Sequence, residues 1–405
     1  MSSCRICRGK LTNIINLGKI ALVGDFLLKH KKLRKYKITL NYCKICKHVQ
    51  IAEILDPNLL FKKYLWETGV SKSNINLIKG ITQKIKKFRI NKNSKVLEIA
   101  SNDGSFLELI KKKFGCFVLG IDPAKNLKKV SKKKKILTIS DYFNYKLSRK
   151  VNKKFKLFNF IFARNVIAHV PNPNEIFKGV NNLLDIEGTF ILEVPHLGNI
   201  FQYNQYDNIF HEHIGFHSLK SIIDLCNRNS LKVFDVEKID SQGGSLRCYM
   251  CKRENNKKIS KNIFLMLNKE RKLGLFETKK LQNFKHKINA HIQKMQNLIK
   301  NLKKKKKKIS VYGASGKGQA LLQFCSLNNE KIDYAFDKSK LKQGRYTPGT
   351  YIKIKKPSFL KKFNTDYLLI LSWNIKDEII SQEKKFQQMG GKFIIPFPSP
   401  RIINK

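Results

Sequence analysis

Four short apolar runs punctuate the middle of the chain: Val96–Ile99, Phe117–Ile121, Phe158–Ala163 and Thr189–Val194. Polar stretches between them carry their apolar residues at helical spacing. Uninterrupted apolar runs this short predict strands buried on both faces, and strands alternating with helices predict a mostly parallel sheet. Residues 73–90 read as a helix ahead of this region, and Gly243–Met250 as a late strand that closes it. The alternation restarts at Ile309–Tyr312 and continues through Ile332–Asp337, Tyr367–Leu371 and Lys392–Pro396. Between the two regions, residues 253–308 are lysine-rich. Their apolar stripe (Phe264, Leu265, Leu267, Leu273, Leu275, Phe276, Leu281, Phe284) predicts one or two connecting helices. Residues 1–72 show neither period.

Length and composition agree with several domains. At roughly 150 residues per domain, 405 residues suggest two or three, and 42% hydrophobic content is ample for their cores. The formal net charge is +53. Of the 82 Lys and Arg residues only twelve are Arg, and the lysines are scattered. Recognition of phosphates and base edges favours the Arg fork. The charge therefore reads as lysine used for a solvated surface, and nucleic acid is not the expected partner. The run Lys303–Lys308 reads the same way, as solvated chain before a buried strand. No stretch approaches the ~18 apolar residues of a membrane span, so no membrane partner is expected. The start of the chain has no apolar signal core before Cys4 and Cys7. The expectation is a cytoplasmic protein, in which paired cysteines bind metal more often than they cross-link.

Cys4-x-x-Cys7 and Cys43-x-x-Cys46 are two such pairs. Two intervening residues let both thiolates face one tetrahedral ion, and four thiolates leave no open position. They predict a structural Zn2+ that holds a segment too small to build its own core. Cys248-x-x-Cys251 has the same spacing, but a strand sends residues three apart to opposite faces, so it is read as non-ligating. Cys116, Cys226 and Cys325 read as core thiols.

The first strand of the α/β region ends on Glu98. A small-residue turn follows, Ala100-Ser101-Asn102-Asp103-Gly104, and then a helix start; the second strand ends on Asp122. Ligands of doubly wound sheets lie beyond the carboxyl ends of the strands, where a carboxylate can take ribose hydroxyls. The turn lacks G-x-G-x-x-G, which favours a nucleoside without phosphates, such as S-adenosylmethionine, over NAD. An ordinary strand–turn–helix unit remains the alternative. His169, in the stretch Asn165–Pro173, ends another strand and could floor a cofactor pocket; it could equally cap the turn before the Pro-x-Pro pair. Four of the nine histidines (His196, His211, His213, His217) crowd one segment beside Glu212. A histidine beside a carboxylate can serve as a general base, or the cluster can be structural. In the second α/β region, the turn Gly313-Ala314-Ser315-Gly316-Lys317-Gly318 opens a helix. Such an N-terminus can suit a diphosphate, with Lys317 adding charge, or the turn can be a bare strand–helix connection.

Taken together and in order, these motifs resemble the sugar C-methyltransferase family. The resemblance runs nearly end to end. It is carried by the double Cys-x-x-Cys head, Glu98–Leu107, Gly120–Pro123, Asn165–Pro171, Glu193–Pro195, His211-Glu212-His213 and Gly243–Arg247. In the second half it rests on Tyr312–Gly318, Asp337–Ser339, Lys342–Thr350 and Ser372–Asn374. The family implies an α/β protein with two doubly wound, Rossmann-like domains preceded by a small zinc-binding domain. Here that divides as 1–72 zinc-binding, 73–252 methyltransferase, and 253–405 linker helices with the nucleotide-sugar domain. It implies S-adenosylmethionine held by Thr68, Ser71, Glu98, Ala100, Asn102, Gly104, Asp122, Asn165 and His169. A nucleotide-linked ketosugar would lie against Tyr64, Gly313, Ser315, Lys317, Gly318, Asp337 and Lys342. His213 would be the base, with Glu212 and His211 beside it. The family usually has Tyr where this chain has Phe210, and often two tyrosines where it has Tyr64 and Trp66. The expected reaction is carbon methylation next to a ketone. An RNA methyltransferase with a zinc ribbon and a non-catalytic nucleotide-sugar-binding protein are the alternative readings. The sequence leaves the oligomeric state open.

Overall fold

The computed structural model describes residues 3–56, 59, 60, 78 and 80–403. Tyr64, Trp66, Thr68 and Ser71 lie outside the described residues. In the head, β1 (Leu11–Ala21), β2 (Lys35–Cys43) and β3 (Val49–Ile51) form an antiparallel sheet. A fourth strand joins it from far down the chain, as described below.

The central sheet begins with β4 (Lys95–Ile99), β5 (Phe117–Ile121), β6 (Leu137–Ile139), β7 (Phe158–Arg164) and β8 (Leu184–Pro195). The two-residue strand β9 (Gly215–Phe216) then leaves to pair with β3 in the head. β10 (Leu231–Ile239) and β11 (Ser245–Lys252) complete a seven-stranded sheet of order β10-β11-β8-β7-β4-β5-β6. All of its neighbours are parallel except β11, which is antiparallel to both β8 and β10. Pairing of β11 starts two residues later than the apolar run suggests. Gly243 and Gly244 have φ of +89° and +109°, so they form a turn and not a strand.

The third sheet holds β12 (Ile309–Tyr312), β13 (Ala335–Phe336), β14 (Ile354–Lys355), β15 (Tyr367–Ile370), β16 (Lys392–Ile395) and β17 (Arg401–Ile403), in the order β14-β13-β12-β15-β16-β17. The run from Ile332 forms a strand only over β13; ahead of it Asp333 accepts the Ile309 N–H on its carboxylate at 2.9 Å and donates its own N–H to Ile309 O at 2.8 Å. The connecting segment folds as helices Lys261–Lys272, Thr278–Gln282 and Phe284–Lys304. The last of these buries Phe284, Ile288, His291, Met295, Ile299 and Leu302, one stripe of a 3.6-residue period.

Among the described residues, the head shares its core with the other two domains. Cys4, Ile6, Cys43 and Cys46 pack with Leu192, Leu246 and Phe177 of the central domain. Ile15, Leu40 and Val49 pack with Val311, Leu321 and Ile288. Leu27 and Tyr346 pair as an antiparallel bridge, and Gln323 holds both the N–H and C=O of Ala21. The segment after β1 is thereby fixed against the third sheet. Among the described residues no helix is long and apolar enough to cross a membrane.

Candidate active site

The turn after β4 is built from left-handed residues. Ala100, Asn102 and Gly104 have φ of +58°, +50° and +73°, and helix Ser105–Phe114 follows at once. Asp122, at the end of β5, clamps this turn: Oδ2 accepts the Asn102 N–H at 2.8 Å and Oδ1 the Ala124 N–H at 2.8 Å. Burial raises its pKa despite these bonds. A carboxylate has lone pairs for about four donors, so Asp122 keeps capacity for ligand hydroxyls. Glu98 is 1% exposed. Its Oε1 accepts from Arg164 Nη2 at 2.6 Å and Nε at 3.0 Å, while Oε2 has no partner among the described residues. Desolvation pushes its pKa up to about 7 against the pull of Arg164.

Ser101 Oγ, Ser140 Oγ and Asn165 Oδ1 are likewise buried without partners among the described residues. These residues follow the carboxyl ends of β4, β6 and β7, along the edge where an α/β sheet binds ligands. Buried polar atoms are ordinarily bonded. A row of orphans beside two carboxylates fits a ligand rich in hydroxyl and amino groups, as S-adenosylmethionine is.

The segment Asn208–His217 runs along this edge. Nδ1 of His213 lies 2.8 Å from the Asn208 carbonyl oxygen. A carbonyl only accepts, so Nδ1 carries the proton and Nε2 presents its lone pair. His169 packs edge-on at 4.8 Å between ring centroids, its Nδ1 donating to the Glu212 carbonyl at 2.7 Å. The Ile214 N–H donates to Ala168 O at 2.8 Å, which zips the end of β7 to the histidine segment. Burial holds His213 well below the ordinary histidine pKa, and the His169 and Lys317 charges push the same way. His169 is pushed down to about 4 by burial. Both rings are therefore neutral near pH 7. Burial raises Glu212 to about 7; Asp25 adds to the effect and Lys342 opposes it. His211 does not join this group. Its Nε2 donates to the Tyr36 carbonyl at 3.2 Å, so it faces β2 of the head.

The third sheet closes on the same place. Gly313 ends β12 with φ +89°, and Ser315 caps helix Gly316–Phe324 by accepting the Gly318 N–H at 3.2 Å. Asp337 and Lys342 brace that turn. Asp337 Oδ2 accepts the Ala314 N–H at 2.6 Å, and Lys342 Nζ donates to Ala314 O at 2.8 Å. Lys317 points across the seam. Its Nζ donates to the Gln242 carbonyl at 2.6 Å and faces Asp207, which in turn accepts from Trp373 Nε1 at 2.7 Å. Desolvation lowers Lys317 and raises Asp207, each partly offset by the other. Gly243 has no side chain where a Cβ would lie 2.5 Å from Trp373 Cη2. Phe210 is buried at 4.2 Å from the His213 ring, and its Cζ would lie 3.6 Å or less from a Cβ on Gly316. The head contributes Val23 and Gly24, beside Gly316 and Glu212 respectively.

At the far end of the head, the sulfurs of Cys4, Cys7, Cys43 and Cys46 all lie within 4.8 Å of one another. Four thiolates at this spacing suit a tetrahedral Zn2+ with no open position. Cys248 and Cys251 are both buried in β11, and the only such cluster among the described residues is the head's.

Sequence reasoning missed Asp207, Gln242, Arg164 and the Val23–Asp25 loop. Asp207 stands five residues before Glu212, but nothing in its neighbourhood signals a partner at Trp373.

Three family models match the chain: "Putative zinc binding domain" over residues 4–61, "Methyltransferase domain" over 74–236 and "C-methyltransferase C-terminal domain" over 240–398. C-methyltransferase NovU of Streptomyces niveus is 30% identical over 409 residues, covering 100% of this chain and 97% of that protein. Among solved structures, PH0226 protein of Pyrococcus horikoshii aligns with a TM-score of 0.38 at 16% identity, over 49% of this chain and 100% of its own. An S-adenosylmethionine-dependent methyltransferase of Anabaena variabilis aligns at 0.38 and 14%, over 44% of this chain and 86% of its own.

Proposed function

The chain belongs to the sugar C-methyltransferase family and is an S-adenosylmethionine-dependent methyltransferase; from that premise we propose that it methylates a carbon next to the ketone of a nucleotide-linked sugar, with His213 as the base. The observation that carries this reading is the Nδ1–H bond of His213 to Asn208 O at 2.8 Å, which leaves a neutral imidazole with Nε2 ready to take a proton.

A C–H beside a ketone is acidic because the electron pair it leaves behind spreads onto the oxygen. In the proposed step that proton passes to His213 Nε2, and the nucleophilic carbon then takes the methyl group. S-adenosylmethionine, when bound, supplies that methyl on a sulfonium sulfur. Asp122, Glu98, Ser101, Ser140 and Asn165 would hold it at the edge of the central sheet. Removal of a positioned base typically costs ~10²–10⁴-fold in rate. Lys317, a buried cation within electrostatic reach of His213, favours negative charge building nearby. Glu212, with its pKa raised to about 7, can offer a proton to an oxygen. The turn Gly313–Gly318 is suited to the diphosphate. Tyr64, Thr68 and Ser71 belong to the proposal on the resemblance alone.

The test is incubation with methyl-labelled S-adenosylmethionine and a panel of dTDP-, CDP- and GDP-ketosugars. The proposal expects label in a carbon-bound methyl of one of these sugars. Label in none of them, with the protein folded and binding the cofactor, overturns it.

A further inference from the structure

Arg5 lies between the zinc-ligand cysteines Cys4 and Cys7, and it is only 6% exposed. Its guanidinium does not turn to the sulfurs. Nη1 donates to the Ile214 carbonyl at 2.6 Å and Nη2 to the Ile51 carbonyl at 2.5 Å, while its backbone N–H donates to Gln50 Oε1 at 2.9 Å. Ile214 is the residue after His213. The same carbonyl of Ile214 accepts the Ile51 N–H at 3.0 Å, and beyond it Gly215 and Phe216 pair with Gln50 and Val49. From the opposite side, Asn174 of the central domain donates to Arg5 O at 3.0 Å and Ile6 O at 2.9 Å. One buried fork thus bridges the knuckle, the last strand of the head and the segment that carries the base.

Resting on the reading of His213 given above, we infer that Arg5 is a positioning residue for the reaction: it transmits the rigidity of the zinc knuckle to segment 211–216 and so fixes where His213 points. Two features separate this from a role in charge balance alone. A zinc ion with four thiolates carries a net charge of 2−, and a buried guanidinium beside it offsets part of that. That duty would be met with the fork aimed at the sulfurs. Here both terminal nitrogens instead serve carbonyls outside the knuckle, and one of these belongs to the base's neighbour. Arg also gives two parallel donors from one plane, which Lys cannot. Displacement of a reacting group by about 1 Å can cost ~10²-fold in rate.

The test compares Arg5→Met and Arg5→Lys with the native protein by three readings. These are zinc per chain, amide hydrogen exchange of 211–216, and kcat and KM with S-adenosylmethionine and the ketosugar nucleotide that the panel selects. The inference expects Arg5→Met to retain its zinc, to exchange 211–216 at least tenfold faster, and to lose tenfold or more in kcat with KM for S-adenosylmethionine within twofold. Arg5→Lys should fall between the two, and it carries the test if Arg5→Met does not accumulate as folded protein. Retained zinc with unchanged exchange over 211–216 and unchanged kcat would overturn the inference. His213→Ala separates the two readings: it should slow transfer by ~10²-fold or more while leaving 211–216 protected. If that variant transfers methyl at close to the native rate, the reading of the base fails, and the exchange result stands apart from it.

Discussion

Trp373 and Asp207 are 166 residues apart in the chain, and the indole Nε1–H of one donates to Oδ2 of the other at 2.7 Å. The bond crosses the seam between the central and third sheets. Asp207 is fully buried, and Lys317 faces it from the same side as Trp373. Losing the indole leaves a buried carboxylate short of a donor, which costs about 1–3 kcal/mol. Trp373→Phe and Asp207→Asn should therefore couple. In a double-mutant cycle followed by urea unfolding, the interaction energy is expected at about 0.5–3 kcal/mol. Additive effects would mean that the bond contributes nothing to joining the two sheets.

Glu98 and Arg164 make a second cycle. Glu98 is buried at the edge of the central sheet, and Arg164 is its only cation among the described residues. Removing one partner of a buried pair costs about 3–5 kcal/mol, because the other charge is stranded. Arg164→Met should lose that much stability, and Arg164→Met with Glu98→Gln should recover most of it. Thermal or urea unfolding of the three variants decides the matter.

The four head cysteines predict one zinc per chain by metal analysis, with sulfur ligands at about 2.3 Å by X-ray absorption. Cys46→Ser should lose the stoichiometric metal. Because Cys4, Ile6, Cys43 and Cys46 share a core with the central sheet, it should also lower the melting temperature of the whole molecule. Loss of zinc with an unchanged melting curve would contradict this.

His217 is 1% exposed, and its ring lies tilted against that of His48 at 4.6 Å between centroids. Burial pushes its pKa down to about 4, and His48 is lowered in the same direction. A histidine in the unfolded chain takes its proton near pH 6.5. Between pH 6.5 and 4 the unfolded state therefore binds more protons, and stability falls as the pH falls. The slope is up to about 1.4 kcal/mol per pH unit for each such histidine. Unfolding at pH 7, 6 and 5 should show this decline, and His217→Phe should reduce its slope by about one proton. An unchanged slope in that variant would contradict the assignment.

What the sequence revealed was local. Runs such as Val96–Ile99 and Phe117–Ile121 announce their strands because burial on both faces demands unbroken apolar chain. Glu98 and Asp122 were legible because each ends such a run. Cys4-x-x-Cys7 and Cys43-x-x-Cys46 could be paired because each two-residue loop lets both thiolates face one ion, and two such loops complete a tetrahedral set. His213 stood out beside Glu212, yet the tautomer that makes it a base depends on a carbonyl five residues back, at Asn208, and on a turn no pattern encodes. Trp373 with Asp207, and Arg5 with Ile214, join residues 166 and 209 positions apart. A single chain carries no periodicity that records such meetings. Asp337 and Lys342 are assigned to substrate by the resemblance alone, and in the fold they brace the Gly313–Gly318 turn. His211, from the same triplet as His213, faces Tyr36, because adjacent positions in that turn point to different neighbours.

The central claim is that His213 removes a carbon-bound proton. Its most direct test is the exchange of that proton with solvent. The native protein and His213→Ala would each be incubated in D2O with the ketosugar nucleotide and S-adenosylhomocysteine in place of the methyl donor, and deuterium next to the ketone followed by NMR. The native protein should wash deuterium into that carbon, and His213→Ala should do so at least ~10²-fold more slowly. Equal rates of exchange in the two proteins would contradict the account.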